Sequence, residues 1–293
     1  MMENYMIIIP AFNEERNIKS LLLDMIPYKD RTIIINDGST DCTKEIVYNI
    51  GFKCIDNPKN IGVSKCIVRG IEYALKNRIR KVILMDADGQ HNPIHIPAFL
   101  NKLECHEFVF GCRYYDNQYI PTNKWASNLF AAALYAELTE QFFTDISCGF
   151  KGISINDELL KTIELSQDYG VIYDIVNYAL TTHSDISIIQ IQAIYGYDEL
   201  LYTKTKEIVS LLQSVDNLRK ICESKNSNKI KQIIETTQQA IKSHTKFYAN
   251  IKNIDFWAFP VCEDGFLFQM NPKDIVSWQR RCKFLEGDLN VHK

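Results

Sequence analysis

Over residues 5–85 the chain alternates short, continuous apolar runs with longer amphipathic stretches, and that beat restricts what it can fold into. Residues 5–9, 31–36, 52–56 and 81–85 read as strands, the second built largely of isoleucine. Between them, residues 14–25, 41–49 and 64–77 read as helices; in the last, Ile67, Val68, Ile71, Ala74 and Leu75 fall on one face. Strands that are apolar throughout must be covered on both faces, and helices between them supply the cover. The pattern therefore predicts a mainly parallel sheet in an α/β fold. Asn13 is expected to cap the first helix, with Glu14 and Glu15 in its positive first turn. Ser39, Thr40 or Asp41 is expected to open the second.

The beat then changes. Residues 97–103, 125–139 and 169–182 read as helices, and 107–112 and 186–194 as strands. From about residue 200 the strands stop; residues 204–223 and 228–251 read as two helices joined by the polar turn 224–227. An aromatic-rich stretch, 256–268, and a short helix at 275–284 follow. A boundary near 198–204 divides the chain into a catalytic-type domain, 1–202, and a helical C-terminal extension, 203–293.

A formal charge of −3 without a long Lys/Arg tract argues against a nucleic-acid partner. Nine scattered cysteines without a CxxC pair read as reduced thiols of a cytoplasmic protein. The apolar run at 6–9 is too short for a secretion signal, and no run reaches the length of a membrane span. The longest candidate, 129–138, is interrupted by Tyr135 and Glu137 and reads as core or as the wall of an acceptor cleft. The expectation is a protein that is soluble or lies on a membrane surface.

Three constellations follow predicted strands, where ligands of open α/β sheets bind. Asp86-Ala87-Asp88-Gly89-Gln90 places two carboxylates and an amide oxygen at alternate positions of a turn. Such hard oxygen donors suit Mg²⁺ or Mn²⁺ and leave positions for phosphate. The plain alternative is an acidic loop capping the next helix. Asn36-Asp37-Gly38-Ser39-Thr40-Asp41 offers Asp37 as an acceptor for a base N–H; a simple strand-to-helix turn explains Gly38 and Asp41 but does not require Asp37. Pro10-Ala11-Phe12-Asn13-Glu14-Glu15 stands where a dinucleotide site would carry its glycine-rich loop, and holds no glycine. A diphosphate here needs a metal in place of a glycine cradle, and hydride transfer is disfavoured. His91 reads as a supporting or exposed residue beside the acidic turn.

The order of these motifs, with Asn60-Ile61-Gly62, Gly111-Cys112-Arg113-Tyr114 and Asp145-Ile146-Ser147-Cys148-Gly149-Phe150-Lys151, resembles family 2 glycosyltransferases of the GT-A fold. The likeness spans roughly residues 5–195 and is greatest to polyprenyl-phosphate mannose and glucose synthases. It implies a nucleoside pocket of Pro10, Phe12 and Glu14 with Asp37 on the base, and Asp86 and Ala87 beside the nucleotide. It implies a metal held by Asp86, Asp88 and Gln90, and Arg113 and Lys124 facing phosphates. It places Asp145 near the acceptor. The chain departs from that branch at Val63, where a basic residue is common, at Lys124, where Arg is usual, and at Val176, where a second acid is found.

The resemblance implies an inverting transfer from a UDP- or GDP-sugar to a polyprenyl phosphate or a glycan. A hydroxyl acceptor would need a carboxylate base, Asp145 first or Asp174 second; a phosphate acceptor would not. Alternatives are a non-catalytic nucleotide-sugar scaffold and transfer to a protein or small-molecule hydroxyl. Ile208, Leu211, Leu212, Val215 and Leu218, and Ile230, Ile233, Ile234 and Ile241, form two stripes. They read as a helical hairpin packed on the domain or as a homodimer surface. Trp257, Phe259, Phe266 and Phe268 are expected to pack inward or line an acceptor groove.

Overall fold

The computed structural model describes residues 4–113, 121–143, 145–192, 194, 203–222 and 224–283, the side chains at 122, 272 and 279–283 excepted. The first elements are β1 (Tyr5–Ala11), α1 (Ile18–Asp24), β2 (Thr32–Asn36), α2 (Thr43–Ile50), β3 (Lys53–Asp56), α3 (Val63–Lys76), β4 (Lys81–Leu84), α4 (Ile96–Lys102) and β5 (Phe108–Cys112). Then come α5 (Thr122–Thr139), β6 (Lys151–Ser154), α6 (Asp157–Ile163), α7 (Gly170–Thr181) and β7 (Ile186–Gln190). The chain closes with β8 (Thr203–Lys204), α8 (Thr205–Ile221), α9 (Ser227–Ser243), β9 (Phe247–Ile251), β10 (Ile254–Cys262), β11 (Gly265–Met270) and α10 (Pro272–Lys283).

Two compact units share these elements. One lies within Met1–Arg113 and Cys148–Ile194, the other within Tyr114–Ser147 and Tyr195–Asp288. The chain thus leaves the first unit after β5, builds α5 into the second, and returns at β6. The sequence boundary expected near 198–204 falls largely outside the described residues, and Tyr114 and the end of the helix expected at 275–284 also lie outside them.

The first unit holds a seven-stranded sheet in the order β3-β2-β1-β4-β6-β5-β7. Every pairing is parallel except those of β6, which runs antiparallel to both β4 and β5. The carboxyl ends of β1, β2, β4 and β5 therefore share one edge, and β6 begins there. Ile7, Ile8 and Ile9 on β1 and Ile33, Ile34 and Ile35 on β2 are fully buried. Each such side chain is worth about 1.5–3 kcal/mol of transfer free energy, which explains why the isoleucine runs announced their strands. The sequence pattern did not announce β6, whose Lys-Gly-Ile-Ser holds a single large apolar residue.

The start of α1 differs from expectation. Asn13 lies in the left-handed region at φ 56°, the helix begins at Ile18, and Asn17 precedes it without a side-chain cap bond. Asn13 instead bridges two loops, as described below.

The second unit corrects the expectation that strands stop near residue 200. The helices α8 and α9 form, but α9 ends at Ser243, and residues 247–270 supply three strands of a four-stranded antiparallel sheet, β8-β11-β10-β9. The extension is mixed α and β rather than helical. Phe247, Phe256, Phe266 and Phe268 are buried, and Phe130 of α5 packs against Phe256 and Phe268 at ring-centroid distances of 5.5 and 5.3 Å. Trp257 is partly exposed, beside Tyr248 of β9 at 5.8 Å. Residues 129–136 of α5 are buried throughout, which marks a central core helix. Among the described residues no helix is long and apolar enough to cross a membrane. The α8 stripe is buried, as are Ile230 and Ile234 of α9, while Ile233 and Ile241 of that stripe are partly exposed.

Candidate functional site

The loops after β1 and β2 are fastened together by side chains. Asn13 N donates to Ser39 Oγ at 3.0 Å, and Thr40 N donates to Asn13 Oδ1 at 2.9 Å. Glu14 N donates to Thr43 Oγ1 at 2.7 Å and Glu15 N to Asp41 Oδ2 at 3.1 Å, while Glu15 Oε2 accepts from Cys42 N at 3.1 Å. Polar residues that could have capped helices locally have been recruited to tie neighbouring loops, an option open to Asn, Asp, Ser and Thr because their short side chains reach main-chain groups. Pro10 ends β1's buried run, and Phe12 stands 43% exposed at the edge.

Asp37 is 3% exposed. Its Oδ1 accepts from Asn57 Nδ2 and Ile61 N, both at 2.8 Å, and its Oδ2 accepts from Gly62 N at 2.9 Å. The Asn60-Ile61-Gly62 turn hangs on this one carboxylate. Gly38 is required next to it: at φ +69° a Cβ there would stand 2.5 Å from the Lys59 carbonyl carbon. Holding this loop is a task of Asp37 that the sequence did not announce.

The acidic turn leaves β4 at Met85, whose N still donates to Ile8 O at 3.2 Å. Asp88 Oδ1 accepts from Gln90 N at 2.9 Å, a local Asx turn that Gly89 completes at φ +80°. Ala87 is buried beneath the turn. His91 then folds back: its Nδ1 accepts from Asp86 N at 3.1 Å, its Nε2 lies 3.9 Å from Cys148 Sγ, and its ring lies 5.1 Å from that of Phe150. His91 is 1% exposed, which overturns the exposed reading.

Gly149, just before β6, makes room for Asp86. A Cβ at Gly149 would stand 2.4 Å from Asp86 Oδ2 and 2.7 Å from Oδ1. Burial pushes the Asp86 carboxyl above its ordinary range, and the charges of Arg113 and Lys151 pull it partly back. Asp88 is pushed up by burial and then by the Asp86 charge. Glu14 is raised by burial first, with Asn17 pulling it down and Asp88, Asp41 and Asp86 adding repulsion. Glu14, Asp86 and Asp88 therefore share one acidic field, which places the loop after β1 beside the turn after β4. Gly89 confirms this, since a Cβ on it would touch Asn17 Cβ at 3.9 Å.

The residues fit a divalent metal. Asp86, Asp88 and Gln90 are hard oxygen donors, the two carboxylates are crowded beyond what Arg113 and Lys151 offset, and the space at Gly149 is kept clear for Asp86. Among the described residues no group of three or more His, Cys, Asp or Glu forms a cage. Two carboxylates and an amide leave coordination positions that diphosphate oxygens would complete.

Sequence reasoning named Lys151 as the end of a motif and gave it no role. It is fully buried, its Nζ sits 4.7 Å from the Phe110 ring centroid, and its charge reaches Asp86. Its place depends on β6 pairing with β4, a long-range fact for which the local sequence carries no signal. Asp174 of α7, the second candidate base, accepts from Ser166 Oγ at 2.6 Å.

Asp145 and Lys124 belong to the second unit. Asp145 is buried and accepts from Ser147 Oγ at 3.4 Å; that hydroxyl also bonds Asn128. Lys124 lies in the first turns of α5, half-buried, and its carbonyl accepts from Ser127 Oγ at 3.2 Å.

Comparisons with known proteins bear on the family and the fold. The family model for glycosyl transferase family 2 matches residues 6–160. An uncharacterised protein of Methanocaldococcus jannaschii, MJ0544, is 34% identical over 223 residues, covering 71% of this chain and 96% of that protein. A UDP-N-acetylglucosamine–dolichyl-phosphate N-acetylglucosaminyltransferase of Methanococcus voltae is 26% identical over 171 residues, 50% of this chain and 68% of its own. The crystal structure of glucosyl-3-phosphoglycerate synthase from Mycobacterium tuberculosis with Mn²⁺, UDP-glucose and phosphoglyceric acid superposes at a TM-score of 0.54 and 20% identity, over 72% of this chain and 79% of that one. The shared fold is GT-A, as the motif order implied.

Proposed function

The chain belongs to glycosyl transferase family 2 and is a glycosyltransferase, and from that premise we propose that it moves a sugar from a UDP- or GDP-sugar to a phosphate-bearing acceptor, with Mg²⁺ or Mn²⁺ held by Asp86, Asp88 and Gln90. The observation that carries this reading is the acidic turn at the carboxyl edge of β4, with Asp86 seated against the bare Cα of Gly149. The metal would supply positive charge to the departing diphosphate.

The chain's own residues do the rest. Asp86, Asp88 and Gln90 fix where the diphosphate lies. Arg113, which follows β5 two strands away from β4, acts electrostatically on both carboxylates and would add its charge to phosphate oxygens. Pro10 and the exposed Phe12 border the nucleoside, and Glu14 lies where a ribose hydroxyl would meet it. Asp37 acts through the 57–62 turn, which it holds in place. In the reaction the acceptor oxygen bonds to the anomeric carbon from the face opposite the diphosphate. The carbon–oxygen bond to the diphosphate breaks with its electron pair, inverting the centre.

A phosphate acceptor is already an anion and needs no base. The relative from Methanococcus voltae, a dolichyl-phosphate N-acetylglucosaminyltransferase, supports that choice. So does the engagement of both candidate bases, Asp174 with Ser166 and Asp145 with Ser147. Lys124 is proposed as an acceptor-phosphate contact, and a lipid-borne acceptor would bring the protein to a membrane surface. The test is transfer from UDP- and GDP-sugars, with Mn²⁺ or with a chelator, to a short-chain polyprenyl phosphate and to an oligosaccharide. Metal-dependent product on the phosphate acceptor supports the reading; product on the oligosaccharide alone overturns its acceptor half.

A further inference from the structure

Resting on that donor-site reading, we propose that His91 is a positioning residue that sets the metal turn through its ring nitrogen Nδ1. Asp86 N is the first amide beyond the β4 ladder, and no strand neighbour pairs it; Met85 N makes the last ladder-like bond, to Ile8 O. A main-chain donor at such a point needs a partner, and His91 Nδ1 supplies it at 3.1 Å.

That bond also orients the ring, turning Nε2 toward Cys148 Sγ at 3.9 Å. The Asp86 carboxylate lies 3.6 Å from Nδ1, beyond hydrogen-bond range, so the contact is with the main chain and leaves the carboxylate to other ligands. Packing holds the ring in place: Phe150 lies 5.1 Å away and itself stacks on Phe99 at 4.2 Å. At 1% exposure no water can take over the task. The side chain five positions along thus closes the turn that carries Asp86, Asp88 and Gln90, and determines the angle at which they are presented. Gly149 bounds the same carboxylate from the β6 side.

Two substitutions separate this role from simple packing. Asn places its Oδ1 near the position of Nδ1 and keeps an acceptor for Asp86 N. Gln keeps polarity and bulk but puts its amide nearer the position of Nε2. Mn²⁺ affinity is measured by calorimetry in the presence of UDP or GDP, and nucleotide affinity is measured again in chelator. His91→Gln is expected to weaken Mn²⁺ binding by about ten- to a hundredfold, the usual effect of losing a supporting partner, and His91→Asn by about threefold at most. Metal-free nucleotide affinity is expected to stay unchanged in both. Wild-type Mn²⁺ affinity in His91→Gln, an equal loss in both variants, or a loss that persists in chelator overturns the positioning role while leaving the donor reading intact. A wild-type protein that binds Mn²⁺ with neither nucleotide overturns the donor reading, and this inference with it.

Discussion

Gly149 and Asp86 meet so closely that the smallest side chain at 149 would enter the space of the carboxylate, 2.4 Å from Oδ2. The two residues come from strands that run antiparallel, β4 ending where β6 begins. Their contact is made by the pairing of the sheet and by nothing local in the sequence.

Replacing Gly149 by Ala should therefore act on the metal and not on the fold. Its φ is not in the left-handed region, and the obstructing atoms are the end of a side chain that can swing aside. We expect a loss of about ten- to a hundredfold in Mn²⁺ affinity with little change in thermal unfolding. Unaltered metal affinity would show that Asp86 binds from another rotamer.

Asp88→Ala removes one of the crowded carboxylates from the turn. Metal-dependent transfer should fall by about a thousandfold or more, several kcal/mol of lost charge stabilisation, and chelator should do the same to the wild type. Full turnover of a UDP- or GDP-sugar by the variant with Mn²⁺ present would sink the donor assignment.

Asp37→Ala leaves Asn57 Nδ2, Ile61 N and Gly62 N without their acceptor. Buried donors left unpaired cost about 1–3 kcal/mol each at the upper end, and partial relaxation of the turn should reduce the total to about 3 kcal/mol. Chemical denaturation reads this directly, and nucleotide affinity should fall with it. A variant of wild-type stability would mean that the 57–62 turn stands without its carboxylate.

In the second unit Glu137 is buried in α5, bonded by Oε1 to Lys229 Nζ of α9 at 2.8 Å and by Oε2 to Lys252 N at 3.2 Å. Lys229→Ala should cost more than Glu137→Ala, because it strands a buried carboxylate, whereas the half-exposed Lys229 can be hydrated alone. We expect about 3 kcal/mol against about 1–2 kcal/mol. The reverse order in matched denaturation curves would refute the argument.

Asp86 and Asp88 are held above their ordinary range in the metal-free protein. A carboxyl raised on folding favours the folded state while protonated, so its stabilisation is complete below the unfolded value and is lost as pH rises through the folded one. Metal-free protein should therefore gain thermal stability as pH falls through the interval just above the usual carboxylate range. Over the same interval protons compete with Mn²⁺ and its affinity should drop. The wild type and Asp88→Asn, compared in chelator, should differ in this slope.

The parallel strands were legible because Ile7–Ile9 and Ile33–Ile35 are buried on both faces, so composition alone marks them. The strands of the second unit were not. His244 stops α9 by adopting φ 51° without a glycine or proline to flag the stop, and Tyr248 puts an aromatic on the outer face of β9, blurring the inward–outward alternation. In the site, the motifs at 10–15, 36–41 and 86–90 were legible because each follows a strand to the same edge. The contacts of His91 and the roles of Gly149 and Lys151 were not, since they arise from a turn folding back on itself and from an antiparallel insertion into a parallel sheet. Asp37 was recognised as important for a reason different from the contacts it makes.

The excursion of the chain between β5 and β6 has a bearing on descent. Residues 114–147 sit, in chain order, inside the sheet-bearing unit, yet cluster with residues beyond 194. Phe130 finds its covering rings in β10 and β11. A gene ending near codon 202 would keep every strand of the first sheet yet deliver an α5 without the rings that cover Phe130, its apolar face open to aggregation.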